Sequence, residues 1–259
     1  MNKENSEKNI ALDILLVYSP FGVISSPYIG IPVLASYLKQ KGFKVAAYDI
    51  NREFLFRFLS PENIRKGLIF IGKRFDQLNR QKSLNFVEIN EYWLIASLLL
   101  LREGFENDIK NIVIPYASFD QVQNSKAVKF FTLVASMPNF PEIISTKVQL
   151  EKWSEFNHFS TQDILRSTEK QNIYSDIFRG IIADHVQNNP APKAIGFSVV
   201  FQHQIIGAFQ CAKIYREVYP DTHIVMGGPS ISNYFRELKE IKLFDIVDSF
   251  IFDEGEMAL

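Results

Sequence analysis

Apolar positions change their period several times along the chain, and the changes mark out its elements. Residues 12–18 are apolar almost throughout, which predicts a strand buried on both faces, central in a sheet. Ile31, Leu34, Ala35 and Leu38 then recur at i, i+3, i+4 and i+7, the core stripe of an amphipathic helix, with Gly42 as its left-handed C-terminal cap. Residues 43–48 predict a second strand ending at Asp49. The same alternation returns near the other end. Residues 194–200 and 223–226 are short apolar runs, and residues 246–252 form a third. Between them lie two helical patterns, Ile205, Ala208, Phe209, Ala212 and Ile231, Tyr234, Phe235, Leu238. Strand, helix, strand, helix, strand in about sixty residues implies parallel strands joined by right-handed crossovers.

Between the two alternating stretches the pattern is helical. Ser60-Pro61 predicts a helix start, a hydroxyl cap followed by proline in the first turn. Residues 91–102 are apolar around most of a helix circumference and predict a largely buried helix. Ser160 to Asp163 reads as a capping-box start, and residues 173–186 as a helix leading into the third strand. Ile112-Val113-Ile114 is the one run that could add a strand or a buried turn, and residues 136–141 form a break. Residues 51–189 are therefore expected to be a mostly helical insertion in a single domain, residues 12–259, behind a disordered tail, residues 1–11. The chain ends one turn into the expected last helix. That leaves Phe250 and Phe252 near an open surface, to be covered by a second copy of the chain through the last strand or by the insertion.

Composition narrows the class of partner. Hydrophobic residues make up 47% and charged residues 22% of 259, ordinary for a soluble globular chain. A net charge of −1 gives no electrostatic reason for nucleic acid or an anionic membrane as a partner. The first nine residues lack the apolar core of a secretory signal, and residues 94–101 are too short to cross a bilayer, so a cytoplasmic location is expected. The lone Cys211 excludes an internal disulfide and a cysteine-ligated metal cluster within this chain. Its place in a helical pattern predicts a buried, inert thiol.

In parallel sheets, ligands bind where strands end at their carboxyl edge. Ser198, Gly227, Gly228 and the Glu254-Gly255-Glu256 step all fall there, opposite a long Pro-, Gly- and Ser-rich loop running from Pro20 to Tyr28. The paired glycines either let a ligand touch the backbone or simply make a tight turn. Ser198 is either a ligand contact or a small buried residue. Glu254 and Glu256 could be paired acid and base, but acids in the first turn of a helix are the better reading. Asp49 would suit a ribose hydroxyl only in a dinucleotide fold, and no G-x-G-x-x-G occurs. The four histidines lack metal-ligand spacing, and only His203 follows a strand's carboxyl end.

Leu15-Leu16-Val17-Tyr18-Ser19-Pro20, Gly30 through Leu38, and Gly42-Phe43-Lys44-Val45 resemble the start of the cobalamin-binding-type domains fused ahead of radical S-adenosylmethionine cores. Ile195 to Ser198, His223 to Pro229, and Val247-Asp248 through Glu256 match the rest in the same order. The resemblance implies a flavodoxin-like, doubly wound five-stranded parallel sheet in order 2-1-3-4-5. It also implies a corrinoid lying across the carboxyl edge, meeting Ser198, Gly227, Gly228 and Glu254, with Pro20 and Tyr28 on the facing loop. The implied role is to present cofactor or substrate to a radical core in the parent protein. Three departures stand out. No D-x-H-x-x-G follows the first strand, Asp253 replaces the usual glycine before Glu-Gly-Glu, and no C-x-x-x-C-x-x-C occurs, so this chain holds no iron–sulfur cluster and is not expected to perform that catalysis itself. Two other readings remain: the N-terminal half of a two-domain glycosyltransferase, and a scaffold domain that binds no small ligand.

Overall fold

The structure, a computed structural model, describes residues 11–22, 28–58, 60–100, 156–171, 173–236 and 241–258. The expected tail, the 112–114 run, the 136–141 break and the middle of the 20–28 loop lie outside them. The described residues fall into two compact units. One holds residues 11–22, 28–54 and 156–258 and carries the sheet; the other holds residues 55–100. The stretch expected as one helical insertion is thus shared between the two.

In the first unit, β1 (Ile14–Tyr18), β2 (Val45–Asp49), β3 (Ala194–Ser198), β4 (His223–Gly227) and β5 (Ser249–Phe250) form one sheet. All its pairings are parallel and the order is 2-1-3-4-5, a flavodoxin-like arrangement. Central position explains the uniform apolarity of β1, whose five residues are all buried. Register sorts its side chains onto two faces. Leu16, Gly196 and Val225 share one row, and Tyr18, Ser198 and Gly227 share the next. The opposite face is larger and tighter: Leu15, Val17, Ile195, Phe197, Ile224 and Met226 are each at most 2% exposed.

The flanking helices follow from where their apolar stripes point. α1 (Gly30–Gln40) buries Ile31, Ala35 and Leu38 against Ile14, Leu16 and Tyr18. It ends as expected at Gly42, whose φ of 92° lets its N–H reach the Lys39 carbonyl while the Phe43 N–H reaches Leu38. After β2 come α2 (Ile50–Phe58), then α3 (Pro61–Asn79) and α4 (Phe86–Leu100), with α3 opening on its expected proline. α5 (Thr161–Glu169) is capped by Ser160, whose hydroxyl accepts from the Asp163 N–H. α6 (Ile173–Asn188) packs against α7 (Gln204–Val218). In α7 all four stripe residues, Ile205, Ala208, Phe209 and Ala212, are fully buried. Cys211 is buried beside them, and burial pushes its thiol well above the ordinary range, so it is an inert core residue. Among the described residues no helix is long and apolar enough to cross a membrane.

Three expectations change. α4 is not largely buried: Glu91, Ile95 and Leu98 are covered, but Phe86, Trp93 and Leu100 are exposed. An apolar circumference fixes no facing partner, so period alone could not place its buried side. The helix after β4, α8 (Pro229–Tyr234), is short, and Tyr234 is exposed while Ile231 and Phe235 are buried. Finally, Phe250 is not under an open surface. It is half-buried against the rings of Phe235, Phe244 and Phe209, at centroid distances of 5.5, 5.5 and 6.3 Å. Phe252 is half-buried too, with the Arg236 guanidinium 5.3 Å above its ring. Alternation within β5 turns Phe250 to the face packed by α7 and α8, where Phe209 comes from α7, Phe235 from the end of α8 and Phe244 from the 3-10 turn Ile241–Asp245.

A candidate binding cleft at the carboxyl edge

Alternation along β3 places Ala194, Gly196 and Ser198 on the α1 face of the sheet. In β4 the same face carries Val225 and Gly227. Small side chains at these positions leave a trough, because no bulk rises from the floor to meet the helix layer. The result is a cleft of about 420 Å³. Its floor is Leu16, Gly196, Ser198, Val225 and Gly227. One wall is the start of α1, with Gly30, Ile31 and Leu34. The other is Ile251, Ser232 and the turn Asp253 to Glu256. Gly255 closes one end, where a Cβ would lie 3.6 Å from Leu34 Cδ2. Tyr28 stands at the mouth, its ring folded over Gly30 and stacked 6.5 Å from that of Tyr18.

Of the residues expected at a ligand site, Ser198, Gly227, Gly228, Tyr28 and Glu254 come together around this cleft. Pro20 does not. It is buried and leans on α7, where a Cβ at Gly207 would lie 2.7 Å from Pro20 Cγ. The chain leaves β1 toward the α7 face and only later returns to α1, so a loop that was one stretch in sequence serves two faces. Residues 23–27 lie outside the described residues. His203 is also turned away: it stands at the N-terminal end of α7, half-buried, with its ring bonded to the Phe21 backbone and stacked 5.3 Å from Phe201. Burial lowers its pKa, and the bond to Phe21 and the nearby His158 only modify that effect. Asp49 is the cap of α2, accepting from the Arg52 N–H at 2.8 Å; burial raises its pKa against that bond.

The two adjacent glycines have different reasons to be glycine. Gly228 has φ 108°, and a Cβ there would lie 2.7 Å from the Val199 carbonyl oxygen. Backbone packing between the ends of β3 and β4 demands it whether or not anything binds. A Cβ at Gly227 would meet only Ile251, at 3.4 Å, an ordinary contact. Gly227 is therefore the position where lack of a side chain opens the cleft.

Several polar residues that sequence reasoning passed over hold this edge in shape. Gln204 is fully buried; its Oε1 accepts from the N–H groups of Val200 and Phe201 at 2.9 and 3.0 Å, and its Nε2 donates to the Ser19 carbonyl at 2.7 Å. Ser230 donates to the Val200 carbonyl at 3.0 Å, while the Val199 N–H reaches Gly227 at 2.9 Å. Asn51 pairs reciprocally with both backbone groups of Gly22. At the far lip the Ser232 hydroxyl accepts from the Asp253 N–H at 2.9 Å, and Arg236 pairs with the Asp253 carboxylate. Asp253 sits at φ 65°, the left-handed conformation that glycine would take most easily and that Asp tolerates better than most. Glu254 is the N-cap of the one-turn 3-10 helix Gly255–Met257, without a side-chain cap bond, and Glu256 lies in its first turn, the helix-start placement expected of these acids. A signal for the cleft was present in the chain: small residues at every second position of β3.

Among the described residues no Lys, Arg or His lines the cleft, and its polar side chains there are the hydroxyls of Ser198, Ser232 and Tyr28 and the carboxylates of residues 253, 254 and 256. Among the described residues no cluster of three or more His, Cys, Asp or Glu could hold a metal ion. Such a surface suits a largely neutral ligand with an apolar ring and groups that donate hydrogen bonds. Comparison with protein-family models, curated proteins and solved structures finds no match to this chain.

Proposed function

We propose that the sheet-bearing unit is a corrinoid-binding module of the cobalamin type, presenting cofactor or substrate to a radical core in the parent protein. The observation that carries this reading is the cleft itself, open at the carboxyl edge of a 2-1-3-4-5 parallel sheet and floored by Gly196, Ser198 and Gly227. A corrinoid is fringed by amides, and its neutral parts ask for apolar contact, hydroxyls and close backbone approach rather than charge. The residues present fit that demand: Leu16, Ile31 and Val225 supply apolar surface, and Ser198, Ser232 and Tyr28 supply hydroxyls. Gly227 supplies the close approach. What such a group contributes when bound is its cobalt chemistry; this chain would contribute position and exclusion of water.

Incubation with hydroxocobalamin followed by desalting, read by visible absorbance, tests the proposal. Retention of the corrinoid is expected in wild-type protein. Gly227→Val, which adds a branched side chain over the floor, should lower affinity at least tenfold, about 1.4 kcal/mol. Ser198→Ala should cost less, about 0.5–1.5 kcal/mol for a neutral hydrogen bond. Absence of binding at millimolar hydroxocobalamin overturns the reading and leaves a scaffold or another ligand.

A further inference from the structure

The rim of the cleft carries charge of one sign. Asp253 is neutralised by Arg236, which leaves Glu254 and Glu256 as the unbalanced charges on the wall, with no cation among the lining residues. The floor beneath them is apolar or small, so it screens the carboxylates less than open water would. A phosphate or carboxylate entering here would meet two like charges and no Lys or Arg to bind it. Two of the backbone N–H groups at this strand edge that could otherwise meet a phosphate are already in use. The Val199 and Ser230 N–H groups already bond to the Gly227 and Val199 carbonyls. α8, which follows Gly228, is only six residues long. The first position of α1 able to donate is hemmed by Tyr28, whose ring lies over Gly30.

We infer that the cleft admits the neutral or cationic, ring-bearing part of its ligand and rejects anionic groups, with Glu254 and Glu256 as the residues that set this selectivity. The inference names the ligand class of the cleft on which the corrinoid reading rests. It places amide-fringed or basic heteroaromatic groups inside and any phosphate of the same ligand in solvent. By the same argument a free nucleotide held by its phosphate is not the ligand.

Three probes share one ring and differ in charge: indole, tryptamine and indole-3-acetate. Their binding to the whole chain is followed at the methyl resonances of Ile31, Leu34, Val225 and Ile251, so that only occupancy of the cleft is read. At low salt the affinity of tryptamine should exceed that of indole-3-acetate about fivefold or more, with indole between them. The ratio should shrink toward one at ~0.5 M salt, where the screening length falls to a few ångströms. Glu254→Gln with Glu256→Gln should abolish the charge preference, bringing tryptamine and indole-3-acetate to within about twofold of each other. Equal or tighter binding of indole-3-acetate by wild-type protein overturns the inference. So does an unaltered ratio in the double variant, or the failure of all three probes to shift those methyls at 10 mM. Parallel titration with hydroxocobalamin keeps the two readings apart: charge selectivity without corrinoid retention sinks the corrinoid module alone, and corrinoid retention without charge selectivity sinks only the role of the two glutamates.

Discussion

Gln204 bonds three backbone groups from two separate connections, which makes its side chain a sensitive place to perturb the cleft edge. Gln204→Leu keeps the volume of the side chain and removes every bond. The Ser19 carbonyl then loses its partner beside a residue that is fully buried, at a cost of about 1–3 kcal/mol for a buried unsatisfied group. The N–H groups of Val200 and Phe201 lie where the chain is half-buried or exposed, so water replaces much of what they lose. The expected sum is about 2–4 kcal/mol, a fall in Tm of roughly 5–15 °C for a protein of this size. Gln204→Glu separates the donor from the acceptor. It keeps an acceptor for the two N–H groups but sets a carboxylate oxygen against the Ser19 carbonyl. Burial beside that oxygen raises the folded-state pKa of the new Glu above its unfolded value. Its destabilisation should therefore shrink as pH falls from 7 toward 5, where the protonated acid can donate. Trp93 lies in α4, away from the strands, so the assay is amide hydrogen exchange at Val17, Ile195 and Ile224, beside thermal unfolding by circular dichroism. A Gln204→Leu protein within about 0.5 kcal/mol of wild type, with unchanged protection at those amides, would refute the argument.

The adjacent glycines should part company: Gly228→Ala should lose about 2–4 kcal/mol, from an unfavourable φ and a Cβ against the Val199 carbonyl, whereas Gly227→Ala should stay within about 1 kcal/mol in urea unfolding. In the second unit, Arg74 holds the buried Glu91 through bonds of 2.9 and 2.7 Å. Arg74→Met should cost about 2–4 kcal/mol by stranding that carboxylate, and adding Glu91→Leu should recover most of it; Trp93 fluorescence reads this transition. Burial lowers the pKa of His158, His185 and His203, so they stay neutral in the fold while the unfolded chain takes up protons below about pH 6.5. Stability should then fall as pH drops from 6.5 until the lowered folded values are reached; a Tm at pH 5.5 equal to that at 7.5 would contradict this, and His185→Gln, which removes a ring stacked 4.3 Å from Tyr48, should flatten the dependence.

The strands, their parallel direction and the α1 cap were written locally, whereas the order 2-1-3-4-5 was implied by the family resemblance. Five short apolar runs, a 3.6-residue stripe between them and the handedness of crossovers leave few ways to build the sheet, and Gly42 marks a helix end because only a residue without Cβ accepts that backbone cheaply. The gathering of Ser198, Gly227 and Glu254 at one edge follows from the same logic, since parallel strands must end on the same side. What the chain alone did not decide was which face each residue serves. Period two says that alternate residues of β3 part company, but not that Ala194, Gly196 and Ser198 lie on the α1 side while Phe197 turns the other way, to Tyr215 of α7. That depends on contacts more than a hundred residues apart in sequence. The same distance sends Pro20 to α7 and Tyr28 to the cleft, and lets Gln204 reach Ser19. It also separates two neighbouring glycines, one held by the backbone of Val199 and the other facing an open trough. Local sequence sets what a segment can become; only the packed layers decide what stands opposite it, because burial is a property of two surfaces and not of one.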